Sequence, residues 1–130
     1  MPELIGIDHI YITVSDVTRS EQFYDVVLCV LGFRKNQFEL DGGKHVQYYN
    51  RHFGYVLRPV RSAIPHHSYA LGLHHFCLRV EGEKEVDEAV RLLRAQGIAV
   101  GEPRRHSEYA GDYYAAFFSD PDGIRLEISN

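Results

Sequence analysis

A histidine stands at the same point of two matching segments of this chain. Asp8-His9-Ile10-Tyr11-Ile12-Thr13-Val14 returns as His74-His75-Phe76-Cys77-Leu78-Arg79-Val80, and each copy is followed by an amphipathic stretch ending at a glycine. A repeat of this kind describes one supersecondary unit used twice, neither half able to bury its apolar face alone. Side chains of an extended segment alternate between two faces. His75, Cys77 and Arg79 therefore oppose Phe76, Leu78 and Val80, and His9, Tyr11 and Thr13 oppose Ile10, Ile12 and Val14; His74 falls on the far side from His75. Glu127, set between Leu126 and Ile128, shares a face with Arg125 and Ser129. A carboxylate in mid-strand with apolar neighbours needs a partner, and a metal ion would provide one. The alternative is an ion pair with Arg79 or Arg125, with His9 and His75 as ordinary hydrogen-bonded strand residues.

The elements that must position these groups can be read along the chain. Leu4 to Val14 has strand alternation, and Ser15-Asp16 supplies N-cap chemistry for a helix whose apolar residues include Phe23, Val27 and Val30/Leu31 before Gly32. Phe33 to Leu40, His45 to Asn50 and Gly54 to Val60 read as three strands, with Asp41-Gly42-Gly43 as a tight turn. Residues 61–70, with Pro65 and the adjacent His66 and His67, have no periodicity and read as a linker; the two histidines read as solvated.

The second half repeats the order. A strand over Leu73 to Val80 leads into a helix over Lys84 to Gln96, with Val86, Ala89, Val90 and Leu93 on its apolar face and Gly97 as its stop. After Ile98 to Val100 a polar loop passes through Pro103, His106 and Gly111 to an aromatic strand, Tyr113 to Ser119. Alternation sends Tyr113 and Tyr114 to opposite faces. Asp120-Pro121-Asp122-Gly123 is turn chemistry before the last strand, Ile124 to Ile128. Each half is thus strand, helix and three strands, which makes an α+β fold: a single domain over 1–130, built of modules at 4–63 and 71–130.

The 130 residues and 45% hydrophobic content suit one core, and the net charge of −4 carries no basic stripe for nucleic acid. No apolar run approaches the roughly 20 residues that span a bilayer, so the expectation is a soluble, cytoplasmic protein. Two cysteines, Cys29 and Cys77, fall in different modules and read as buried, reduced thiols rather than a disulfide framework.

Several motifs together resemble the vicinal oxygen chelate superfamily, which includes glyoxalase, bleomycin-resistance, fosfomycin-resistance and extradiol dioxygenase proteins. They are Asp8-His9-Ile10, Ser20 with Phe23-Tyr24, Leu31-Gly32-Phe33, His74-His75-Phe76, and Asp120-Pro121-Asp122-Gly123 leading to Leu126-Glu127. The resemblance covers essentially the whole chain. It implies two βαβββ modules forming a curved, mostly antiparallel sheet around a cleft, helices on the outer face, and a divalent ion held by His9, His75 and Glu127. Two imidazoles and a carboxylate suit Fe, Mn, Ni, Co or Zn and leave positions open for substrate or oxygen.

Glyoxalase I relatives resemble one another in a further Glu or Gln on the last strand of module one. The comparable stretch here, Tyr55-Val56-Leu57-Arg58, offers no such group at Leu57 or Arg58; His45 or Gln47 could substitute. Arg79 and Arg125 would meet an anionic group of the substrate, and Tyr109, Tyr113 or Tyr114 could cover a planar one. The resemblance implies a small oxygen-rich substrate bound by bidentate chelation, with lyase, isomerase or dioxygenase chemistry, and a homodimer. Its alternatives are a bleomycin-resistance-like binding protein without catalysis and a metal-dependent antibiotic-modifying thiol transferase.

Overall fold

The computed structural model describes all residues from Met1 to Asn130, and the chain divides into two compact units, Met1–Ile64 and Pro65–Asn130. The first contains β1 (His9–Val14), α1 (Val17–Val30), β2 (Arg34–Leu40), β3 (Gly43–Tyr49) and β4 (Gly54–Pro59). The second contains β5 (His75–Arg79), α2 (Glu83–Ala95), β6 (Arg104–Arg105), β7 (Tyr114–Ser119) and β8 (Arg125–Ser129). The class is α+β, and the eight strands form two four-stranded mixed sheets, ordered β1-β4-β3-β2 and β5-β8-β7-β6. In each, the first and last strands of the unit run parallel while the other pairings are antiparallel.

In the first unit, Asp16 caps α1 by accepting from the Arg19 amide at 3.1 Å, as the Ser15-Asp16 signal requires. Tyr24, Val27 and Leu28 of α1 pack with Val46, Tyr48, Tyr55 and Leu57 to form a buried core on one face of the sheet. This core carries hydroxyls: Tyr55 donates to the Tyr24 hydroxyl at 3.0 Å and Tyr48 to Asp25 at 2.7 Å. Asp41 and Gly42, with φ of 53° and 76°, make the β2–β3 turn.

In the second unit, Val86, Ala89, Val90 and Leu93 of α2 meet Ala116, Phe118, Leu126 and Ile128, a core of hydrocarbon alone. The strand expected over Leu4 to Val14 begins only at His9, and Ile98 to Val100 is not a strand; β6 is two residues long and lies further on. Residues 61–70 are free of helix and strand. Cys29 and Cys77 are unpaired, but both residues are exposed, which corrects the expectation of buried thiols: Cys29 falls on the outward side of α1 and Cys77 on the sheet face that α2 does not cover. No helix is long and apolar enough to cross a membrane.

Candidate metal centre

Glu127 is the only acidic side chain in the middle of a strand of the second unit's sheet, and its environment is unusual for a carboxylate. Leu126 and Ile128 turn toward α2, which leaves Glu127 on the opposite face, yet the residue is only 3% exposed. The parallel register pairs Cys77 with Glu127 and His75 with Arg125. His75 thereby brings Nε2 to 3.3 Å from Glu127 Oε1. The other carboxylate oxygen, Oε2, accepts a short hydrogen bond from the Tyr113 hydroxyl.

Neither arginine neutralises this carboxylate. Arg125 instead lies over the Phe117 ring at 5.7 Å, and Arg79 is exposed at the end of β5. An ion pair with Arg79 or Arg125 is therefore not what the fold adopts for Glu127. Tyr113 and Tyr114 part as alternation requires, since the Tyr114 hydroxyl donates to Asp87 of α2 at 2.7 Å. Burial and the bond to Glu127 push the Tyr113 phenol well above the ordinary tyrosine range, so it stays a proton donor. Burial also raises the Cys77 thiol, outweighing its hydrogen bond to Ser129 Oγ at 3.1 Å, and the Glu127 charge adds to the rise. A thiol kept protonated is a poor nucleophile.

His9 opens β1 in the first unit, with its side chain about half exposed. Its Nδ1 lies 2.6 Å from Asp8 Oδ1, which places the ring proton on Nδ1 and leaves Nε2 as the free lone pair. A carboxylate on the remote nitrogen is the arrangement that orients and strengthens a metal-ligating imidazole. A cavity of about 640 Å³ on this unit is bordered by His9, Tyr11, Phe38, Gln47, Phe53 and Val56. The donor types of His75 and Glu127, their convergence and the absence of a Lys or Arg on the carboxylate fit a divalent ion, while the structure gathers no group of three or more His, Cys, Asp or Glu that could hold one.

The remaining expected residues divide. Gln47 pairs with Val56 in register and borders the cavity. His45 is 1% exposed, stacks on Phe38 at 5.1 Å, and gives its Nδ1 proton to the Gly43 carbonyl at 3.0 Å, leaving Nε2 buried without a partner. Tyr109 is exposed and packs edge-on to Tyr113 at 5.5 Å. His74 does not face away from His75: the two Nδ1 atoms are 2.7 Å apart, because His74 precedes β5 and escapes its alternation. His67 is exposed and accepts the Tyr69 amide, while His66 is half-buried, and they form no second metal cluster. Asp120 accepts from the amides of Asp122 and Ile124, a turn role.

Two residues were not singled out from sequence for this face. Sequence offers Tyr113 only as an aromatic to cover a ligand, not as the partner of Glu127. His106 is buried, packs on Tyr113 and Phe117, has Nδ1 at 3.3 Å from Glu108, and leaves Nε2 without a partner. In sequence it is one loop histidine among several; only the β6–β7 pairing brings it here.

Comparison with known proteins follows the same lines. Residues 6–128 match the sequence profile of the Glyoxalase/Bleomycin resistance protein/Dioxygenase superfamily. The chain is 30% identical over 124 residues to the uncharacterized protein YqjT of Bacillus subtilis (strain 168), covering 92% of this chain and 94% of that one. It is 30% identical over 125 residues to catechol-2,3-dioxygenase of the same organism, covering 90% of this chain but 38% of the relative. The crystal structure of lactoylglutathione lyase from Agrobacterium tumefaciens superposes with a TM-score of 0.71 at 25% identity, covering 98% of this chain and 94% of that one.

Proposed function

Because the chain belongs to the glyoxalase, bleomycin-resistance and dioxygenase superfamily, we propose that it is a divalent-metal-dependent enzyme acting on a small oxygen-rich substrate, with His9, His75 and Glu127 as the metal ligands. The observation that carries this reading is the buried Glu127 carboxylate, which meets His75 Nε2 at 3.3 Å and has no Lys or Arg to balance it. A bound Fe, Mn, Ni, Co or Zn ion would act as a Lewis acid toward two substrate oxygens. In this reading the two units work as one domain, in a cytoplasmic homodimer.

The protein's own part is to hold and recognise. Arg79 and Arg125 present guanidinium groups for an anionic substrate group, and Arg125 is steadied by the Phe117 ring. Gln47, on the border of the cavity, offers a hydrogen bond and the exposed Tyr109 a ring for a planar substrate, whereas the Nε2 of His45 is buried and out of a substrate's reach. The strand register within each unit bears on reaction class. His9 pairs with Gly54 and Tyr11 with Val56, as His75 pairs with Arg125 and Cys77 with Glu127. Val56 is thus the first unit's counterpart of Glu127, and it cannot bind a metal. This supports a three-ligand site that leaves room for bidentate chelation, as in dioxygenase or thiol-transferase chemistry, over a four-ligand lactoylglutathione lyase site.

A binding protein without catalysis is the second reading, favoured by the 640 Å³ cavity, where Tyr11, Phe38, Tyr49 and Phe53 stand among polar groups. Metal analysis of untagged protein, with His9→Ala, His75→Ala and Glu127→Ala variants beside it, separates the two. About one equivalent of one transition metal, lost in every variant, is expected. Protein that takes up no metal even on reconstitution sinks the enzyme reading and favours the binding protein.

A further inference from the structure

The two oxygens of Glu127 are not equivalent. Oε1 faces His75 Nε2 at 3.3 Å, whereas Oε2 is taken by the Tyr113 hydroxyl. That hydroxyl is itself held in place. The Tyr113 amide donates to the Ala110 carbonyl at 3.1 Å, and its carbonyl accepts from the His106 amide at 2.7 Å. The rings of Tyr109 and His106 flank the phenol edge-on at 5.5 and 6.3 Å, and Cys77 Sγ is 3.8 Å from its oxygen. A phenol fixed from the backbone, from both neighbouring rings and from β5 has little freedom to release the carboxylate.

The first unit supplies an internal control. Counting along β3 and β7 from the matched pairs Gln47–Val56 and Phe117–Glu127, the counterpart of Tyr113 is Gly43. A Cβ at Gly43 would come within 2.7 Å of Pro59 Cγ, so no tyrosine fits there. Where the carboxylate is replaced by Val56, the phenol is also missing. The two residues occur as a pair in one unit and are absent as a pair from the other.

We propose that Tyr113 is a positioning residue for Glu127: by engaging Oε2 it commits Oε1, the oxygen beside His75, as the single carboxylate atom offered to a metal. The proposal rests on Glu127 being a ligand, and it deepens that reading by fixing how the ligand binds. One-oxygen ligation keeps an additional coordination position for substrate, and a hydrogen bond to the second oxygen is the outer-shell support that tunes ligand strength.

The test is Tyr113→Phe in the full chain, which removes one oxygen and keeps the ring. Metal-free wild type, Tyr113→Phe and Glu127→Ala are titrated with Co(II) against a competing chelator. The visible d–d absorption of the loaded proteins and the thermal midpoints of the metal-free ones are recorded alongside. Tyr113→Phe is expected to bind Co(II) roughly 10- to 100-fold more weakly, with a weaker d–d band as the freed oxygen raises the coordination number. Its metal-free midpoint should stay close to wild type, which separates positioning from a fold defect. Wild-type affinity and spectrum in Tyr113→Phe overturn the positioning role while leaving Glu127 a ligand. Co(II) binding in Glu127→Ala equal to wild type, or none in wild type, overturns the ligand reading and the proposal with it. A metal-free midpoint that collapses in Tyr113→Phe overturns the proposal in favour of a purely structural tyrosine.

Discussion

The two units have the same element order, strand order and parallel closing pair, but the buried tyrosine hydroxyls of the first lie beneath its helix while the buried carboxylate of the second lies on the other face. Beneath the first unit's helix, Tyr24, Tyr48 and Tyr55 are joined by Asp25, Glu21, Lys35 and Lys44. The second has Leu126 and Phe118 where the first has Tyr55 and Tyr48, and puts its carboxylate, phenol and thiol on the face away from the helix. The same backbone can thus set buried polar atoms beneath the helix, or hold a buried carboxylate on the uncovered face between His75 and Tyr113. The first arrangement serves stability; the second suits a site.

Making the first unit resemble the second should have the largest effect on the fold. Val56 is 2% exposed, and Gly43 supplies no phenol to hold a charge beside it. Val56→Glu should therefore cost roughly 3 kcal/mol in the presence of chelator, the penalty for burying a carboxylate without a partner. Urea unfolding measures this. Recovery on adding Co(II) would show that His9 and an introduced carboxylate can form a ligand pair of their own, and a cost near zero would break the equivalence of Val56 with Glu127.

A smaller effect should separate the helix-facing sides. Burial pushes the Glu21 carboxyl upward, but hydrogen bonds from Lys35 and Lys44, at 2.5 and 2.7 Å, outweigh it and hold the group below its usual 4.5. A carboxyl depressed in the folded state adds stability that is complete above its unfolded value and is lost as pH falls through the folded one. The first unit should therefore weaken below about pH 4.5. Lys35→Met should cost on the order of 1 kcal/mol at pH 7 and reduce that acid sensitivity. Hydrogen exchange at pH 7 and pH 3.5 reads it, and equal slopes in wild type and variant would discount the network.

The helix starts differ least. Asp16 caps α1 through its side chain, whereas α2 starts at Gly82 with no side-chain cap. Asp16→Ala should lose about 1 kcal/mol, and Gly82→Ser should gain only a few tenths, since glycine is itself a fair N-cap. Thermal midpoints that move equally in the two variants would remove this distinction.

Much of the candidate site was legible because alternation is local. It set His75 and Glu127 apart from their apolar neighbours, and it separated Tyr113 from Tyr114. The partner of Glu127 was not legible, because Tyr113 reaches it only through the β7–β8 register and the loop that carries His106. Cys77 looked like core because its neighbours are apolar, but in a one-sided sheet every second residue of β5 faces away from the helix. Which residue of Tyr55-Val56-Leu57-Arg58 stands where Glu127 does in the other unit is not legible in sequence; the parallel pairing with β1 identifies Val56. His74 escapes the alternation rule because the strand starts at His75, two residues later than the Leu73 the pattern suggests.

The strand bearing Glu127 is also the one that joins its sheet together. In the order β5-β8-β7-β6, β8 lies between β5 and β7, and β5 has no other hydrogen-bonded neighbour. Cys77 and Ser129, 52 residues apart, meet only when β8 docks. Closing so long a loop costs entropy before any pairing repays it, and no half-built sheet can hold His75 against Glu127. The meeting of His75 with Glu127 and the completion of the fold are therefore one event in this unit. An ion held by that pair would act as a thermodynamic clasp, slowing amide exchange across β5 and β8 together.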